Sequence, residues 1–253
     1  MQILLSAAVI LLTAGCEFMP LQYEQPFSRS YAASEGTLVS VHNISGQITV
    51  RETAGSMVTI EGIKRGLTQE ETDKIRIVVG TEIIDNKSGD EILSVTTLFN
   101  GDDPELAGVD YTISVPAGMA IEIAGRDGDV RISGDIPLRS LKLENGNTVI
   151  KSARSAENLN ILDGNLEIRD TTTVGNIQVE DGDIIAEVRS VTGNRVISAE
   201  YGSITILADR NLNARITTEV TGSGSAVNNA VTAGTPYQLG LKTTRGDITV
   251  NQL

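Results

Sequence analysis

A six-residue phrase built round one glycine recurs along this chain and limits what it can fold into. It reads Ser45-Gly46-Gln47-Ile48-Thr49-Val50, Asp127-Gly128-Asp129-Val130-Arg131-Ile132 and Asn145-Gly146-Asn147-Thr148-Val149-Ile150. It continues as Asp163-Gly164-Asn165-Leu166-Glu167-Ile168, Asp181-Gly182-Asp183-Ile184-Ile185-Ala186, Tyr201-Gly202-Ser203-Ile204-Thr205-Ile206 and Arg245-Gly246-Asp247-Ile248-Thr249-Val250. The glycines step 128→146→164→182→202, at spacings of 18, 18, 18 and 20. Aligned on that glycine, the sequence makes apolar columns. Two places after it stand Ile48, Val130, Thr148, Leu166, Ile184, Ile204 and Ile248; four places after, Val50, Ile132, Ile150, Ile168, Ala186, Ile206 and Val250. Five places before it stand Val41, Ile123, Leu141, Leu159, Ile177, Ile197 and Leu241. Apolar and polar residues alternate on both sides, the period of half-buried strands. Each unit is therefore strand, glycine turn, strand, turn. One such unit cannot bury its own apolar face, but identical units stacked on one another can.

The glycine suits a tight turn because it takes positive φ without steric cost, and Asn or Asp beside it tolerates the same region. Asn-Gly and Asp-Gly are also hairpin signals, so an antiparallel meander competes. Stacked coils explain more: like residues fall above one another at ~4.8 Å, whereas a hairpin array gives no reason for equal columns. Composition agrees. The chain is 40% hydrophobic but only 3% aromatic, so its core is built from Ile, Val, Leu and Ala, residues that favour strands. The expected fold is an all-β, single-stranded β-helix, a β-solenoid of about 18–20 residues per coil.

Two stretches are less regular. Residues 56–64, 74–84, 91–99 and 109–115 read as strands, with Thr68-Gln69-Glu70-Glu71 offering a capping box for a short helix. Residues 207–240 break the period and read as a degenerate coil with a long loop. The order Val115-Pro116-Ala117-Gly118, then Ile121-Glu122-Ile123, then serial Gly-Asp-Ile phrases resembles the bacterial adhesin-like β-strand-repeat family, the domain of unknown function DUF4097. The resemblance spans roughly residues 36–253. It implies a fold related to adhesin head domains of β-helical type, and a role in interaction, adhesion or envelope stress.

Residues 1–15 carry no charged side chain, and their apolar run is shorter than the ~20 residues a membrane helix needs. They read as a signal-peptide core. The only cysteine, Cys16, follows Leu12-Thr13-Ala14-Gly15. This resembles the lipobox of bacterial lipoproteins and implies acylation of Cys16. Thr13 stands where Leu is usual, and no Lys or Arg precedes the run; an ordinary secretory signal with a chance cysteine is the alternative. A lone thiol in an exported protein invites wrong disulfides, and a thioether-linked lipid removes it. At ~0.8 kcal/mol per buried methylene, two or three acyl chains hold a protein at a membrane essentially permanently. Residues 16–35 then read as lipidated N-terminus and tether, and 36–253 as the solenoid, with 36–118 its less regular part and 119–253 its regular coils.

Chemistry narrows by exclusion. Twenty Lys and Arg against 33 Asp and Glu give a net charge of −13, which a nucleic-acid backbone repels. Asp127, Asp129, Asp163, Asp181 and Asp183, with Asn145, Asn147 and Asn165, would line one edge of a stack and make calcium tempting. The short glycine-rich repeat of calcium-binding rolls is absent, however. Asn147 and Asn165 separate Asp129 from Asp183 by about three coils, ~14 Å, too far to share an ion. Asp102-Asp103-Pro104-Glu105 lacks the spacing of a calcium loop. His42, the only histidine, has no nucleophile or orienting acid that the sequence identifies. Gly222-Ser223-Gly224-Ser225 is not a phosphate loop, since no Lys follows. The expectation is a non-enzymatic, lipid-anchored β-solenoid of the bacterial cell envelope, without cofactor or metal. Its partners would be the bilayer, through acylated Cys16, and a protein or glycan of the envelope. The alternative is a carbohydrate-binding or carbohydrate-active β-helix, which a cleft of three or more convergent carboxylates or of aromatic rings would favour.

Overall fold

The computed structural model describes residues 23–32, 34, 36–85, 90–101, 103, 107–232 and 236–253. Within them the repeat makes pairs of strands that enter two facing sheets. The regular coils are β8 (Ala120–Asp127) with β9 (Val130–Ser133), β10 (Pro137–Asn145) with β11 (Thr148–Lys151), and β12 (Ser155–Asp163) with β13 (Leu166–Arg169). They continue as β14 (Thr173–Asp181) with β15 (Ile184–Val188), and β16 (Arg195–Tyr201) with β17 (Ile204–Ala208). The first strand of each coil joins one sheet, the second joins the other, and the repeated glycine turns the chain between them.

Neighbouring coils pair in parallel and in register, which removes the hairpin meander. Leu141 lies beside Leu159, Leu159 beside Ile177, Ile177 beside Ile197 and Ile197 beside Leu241. In the facing sheet Val130, Thr148, Leu166, Ile184, Ile204 and Ile248 stand in one row. All three columns read from the sequence point inward and are buried. Each large aliphatic side chain placed there contributes about 1.5–3 kcal/mol of apolar burial.

The stack does not follow chain order at either end. Near the N-terminus, β2 (Leu38–Ser45) and β3 (Ile48–Thr53) lie between the β8/β9 coil and an outer coil of β6 (Asp90–Phe99) and β7 (Ala107–Pro116). Near the C-terminus, β18 (Ala214–Ser223) and β19 (Ala226–Asn228) form the outermost coil. The later pair, β20 (Tyr237–Arg245) and β21 (Ile248–Gln252), is inserted between it and β16/β17. The stretch expected as a degenerate coil with a long loop is thus a coil whose two strands pair in parallel, with an irregularity between Val220 and Ser223. Its inward residues shrink: Thr218, Ala226 and Asn228 take the places held one coil below by Leu241, Ile248 and Val250. A terminal coil has no further neighbour to cover it, so small and polar inward residues suit it.

The N-terminal end is closed differently. β4 (Met57–Gly66) adds antiparallel to β7, and β5 (Ile75–Asp85) adds antiparallel to β6. Between them runs α1 (Gln69–Lys74), whose N-cap Thr68 accepts the N–H of Glu71, as the capping box predicts. The four irregular strands expected from the sequence correspond to β4, β5, β6 and β7, and the stretch before residue 119 continues both sheets. One expectation needs correcting. From residue 23 to 32 the segment read as tether is a strand, β1 (Tyr23–Ala32), antiparallel to β4. Phe27 lies opposite Gly62, whose missing side chain leaves room for the ring, and meets Tyr111 edge-on at 6.4 Å between centroids.

Candidate functional site

The glycine edge is built from backbone first. Gly46, Gly128, Gly146, Gly164, Gly182, Gly202 and Gly246 each donate their N–H to the carbonyl of the residue before the next glycine in the stack, at 2.8–3.0 Å. The glycines therefore lie on top of one another. At Gly164 (φ +144°) a Cβ would collide with the carbonyl oxygen of Gly146, so no other residue fits without displacing a backbone.

The residue after each glycine stitches the coils together. Asp129 accepts the N–H of Asn147 at 3.0 Å, Asn147 that of Asn165 at 3.1 Å, and Asn165 that of Asp183 at 2.9 Å. Asp183 accepts the N–H of Ser203 at 2.7 Å, and Asp247 both the N–H and the hydroxyl of Ser225. Those bonds from Ser225, the backbone one foremost, hold the Asp247 carboxyl below its usual range. Of the turn carboxylates that made calcium tempting, Asp129 and Asp183 are thus hydrogen-bond acceptors for the next coil's backbone. Among the described residues no three His, Cys, Asp or Glu side chains converge as a metal site. Asp103 is described, while Asp102, Pro104 and Glu105 lie outside the described residues.

Beside this seam runs an acidic stripe. The residues one and two places before the glycine include Asp127, Glu144, Asp163, Glu180, Asp181 and Glu200. Asp163 and Asp181 face each other in register, a repulsion of about 1 kcal/mol or less in water-like surroundings. Two arginines interrupt the stripe. Arg126 binds Asp127 at 2.6 Å, and Arg245 lies 5.2 Å from the centre of the Tyr201 ring. The opposite edge is different, since its charges pair between coils: Arg154 with Asp135, Arg189 with Asp170, and Arg169 with Glu187. Arg154 holds the Asp135 carboxyl below its usual range.

His42 is exposed on the outer face, with Nε2 3.2 Å from the Ser40 hydroxyl. It rims a groove of about 440 Å³ whose other walls include Ala124, Arg126, Lys142, Glu144 and Leu162. The groove exists because Ala124 and Gly125 are small. It holds one carboxylate, Glu144, and no Phe, Tyr or Trp ring. Below it lies a polar network that sequence reasoning missed. Asn43 donates to the Val109 carbonyl at 2.8 Å and accepts the Thr97 hydroxyl at 2.9 Å, and that hydroxyl meets the Tyr111 hydroxyl at 2.8 Å. The signal for it was Asn43 itself, a polar residue at a place occupied one coil on by Gly125 and then by Leu143. Cys16 and the signal-like segment lie outside the described residues. No described helix is long and apolar enough to cross a membrane.

A family model described as Toastrack DUF4097 matches residues 36–251. No curated protein matches the sequence at a significant level. Among solved structures, a candidate cell adhesion protein from Clostridium sporogenes is 14% identical with a TM-score of 0.42, over 90% of this chain and 100% of that one. A candidate adhesin from Bacteroides fragilis is 15% identical with a TM-score of 0.43, over 90% of this chain and 97% of that one. A candidate adhesin from Parabacteroides merdae is 13% identical with a TM-score of 0.41, over 90% and 96% of the respective chains.

Proposed function

This chain belongs to the Toastrack DUF4097 family, and on that premise we propose that it is a non-enzymatic, lipid-anchored module of the bacterial cell envelope, binding a macromolecule through its outer surface. One observation carries the reading. Along the glycine seam the side chains with chemical potential, Asp129, Asp183 and Asp247, are engaged by the next coil's backbone. What remains outward is an acidic stripe of Glu144, Asp163, Glu180, Asp181 and Glu200, without ion pairs among the described residues. Rows of like charge on a stiff frame suit recognition of an extended, oppositely charged surface better than catalysis. The anchor rests on Cys16 behind Leu12-Thr13-Ala14-Gly15.

Two experiments test this. Fractionation of exporting cells should find the protein in membranes, and Cys16→Ser should release it; a variant still in the membrane fraction after export would end the lipoprotein reading. Proximity labelling in the native envelope should mark a consistent neighbour, and combined Glu180→Lys and Asp181→Lys should lose it. Labelling unchanged by reversal of the stripe would contradict binding through it.

A further inference from the structure

The described sheets have four outer edges, and three of them are guarded. Unpaired strand edges recruit further strands, and proteins blunt them with proline, bulges or shortness. β1 carries Pro26, β19 has three residues, and β18 breaks register between Val220 and Ser223. β5 has no such device before its far end, where its register with β6 breaks between Ile83 and Asp85. It is 11 residues long, contains no proline, and pairs with β6 without interruption from Ile75 to Ile83. Beside its edge, apolar side chains face water: Val78 is 43% exposed, Ile83 63%, and Leu98 of β6 41%.

The sequence of β5 is complementary to itself. Laid antiparallel against a second copy across a two-fold axis at Val79, Arg76 falls opposite Glu82 of the partner subunit. Ile75 then meets Ile83 of the partner subunit, Ile77 meets the partner's Thr81, and Val79 meets its own counterpart. Even spacing about Val79 keeps both cores on one side of the joined sheet. Arg76 and Glu82 are exposed, and neither has an ion pair or hydrogen bond to another described residue. Both point to the outer face, so neither obstructs backbone pairing. Opposite charges directly across an antiparallel pair stabilise it, and the two-fold makes each such pair twice.

We propose that two copies of this chain join through antiparallel pairing of β5 about a two-fold axis at Val79, so that one sheet runs continuously through both molecules. Sedimentation equilibrium on the full chain tests this, with Cys16→Ser so that no acyl chain contributes, at about 0.15 M salt to screen the net negative charge. The expected result is a monomer–dimer equilibrium. Arg76→Glu or Glu82→Arg should raise the dimer's Kd about tenfold or more, and the two together should restore it. Unchanged melting temperatures establish that these exposed changes leave the fold intact. A chain that stays monomeric at all accessible concentrations overturns the proposal and leaves the edge to some other partner. So does a dimer indifferent to the single reversals, or one that the combined reversal fails to restore.

Discussion

Thr148 puts a hydroxyl into a column otherwise filled by Ile, Val and Leu, and that hydroxyl is buried without a hydrogen-bond partner. Removing it at constant shape should therefore help. Thr148→Val is expected to stabilise the fold by about 1 kcal/mol, raising the melting temperature by about 2–4 °C; a lower one would mean the hydroxyl is satisfied. Gly164 predicts the opposite. Its φ of +144° and the Gly146 carbonyl above it mean that Gly164→Ala should cost about 2 kcal/mol or more, read by urea unfolding. Tyr111 supplies a pH dependence. Burial raises its phenol from 10.0 to about 12, against a smaller lowering by Thr97. The folded state then holds this proton longer than the unfolded one, so stability is whole below pH 10 and falls as pH rises toward 12. Tyr111→Phe should be less stable at neutral pH, losing its bond to Thr97, yet decline less over that interval. Equal slopes in the two proteins would show that Tyr111 titrates freely.

Strands were legible where alternation ran beside the repeated glycine, because one face had to be buried and the period left no choice of face. Ile150 and Ile168 illustrate how strictly. Either one changed to Asp places an unpaired carboxylate between neighbours of the same column, and should prevent folding. Near-native circular dichroism and melting for either variant would refute the register. β1 was not legible, and the reason is physical. Only Phe27 and Tyr31 among its residues are half-buried, Pro26 interrupts it, and its partner β4 lies well along the chain, Tyr23 pairing with Gly66 and Ala32 with Met57. An edge strand held by two rings leaves almost no periodic signature. The polar network of Asn43, Thr97 and Tyr111 was hidden for a related cause: its members come from three strands that only the stack brings together.

At the scale of the molecule the two-sheet solenoid was read correctly, but the order of its coils was not visible in the columns. Column equality says which residues share a row and nothing about which coil lies next to which. The clue to the C-terminal exchange lay in size: Thr218, Ala226 and Asn228 are poor fillers for an interior coil, whereas Leu241, Ile248 and Val250 are good ones. The acidic seam was legible as sequence, but its role as a ladder of acceptors needed the stack. With Asp129 and Asp183 already bonded to backbone N–H groups, calcium should raise the melting temperature no more than NaCl of equal ionic strength. A rise of many degrees specific to calcium would mean the turns bind it. The central claim is a parallel stack with its last two coils exchanged, and one distance series tests it. Spin labels on the outer row, in a Cys16→Ser background, would be placed at Arg131 paired in turn with Thr205, Thr249 and Val227. At ~4.8 Å per coil the backbone separations should be about 19, 24 and 29 Å, with Val227 farthest although it precedes Thr249 in the chain. A series in which Val227 lies nearer to Arg131 than Thr249 does, or in which distance does not grow by coil, would contradict the account.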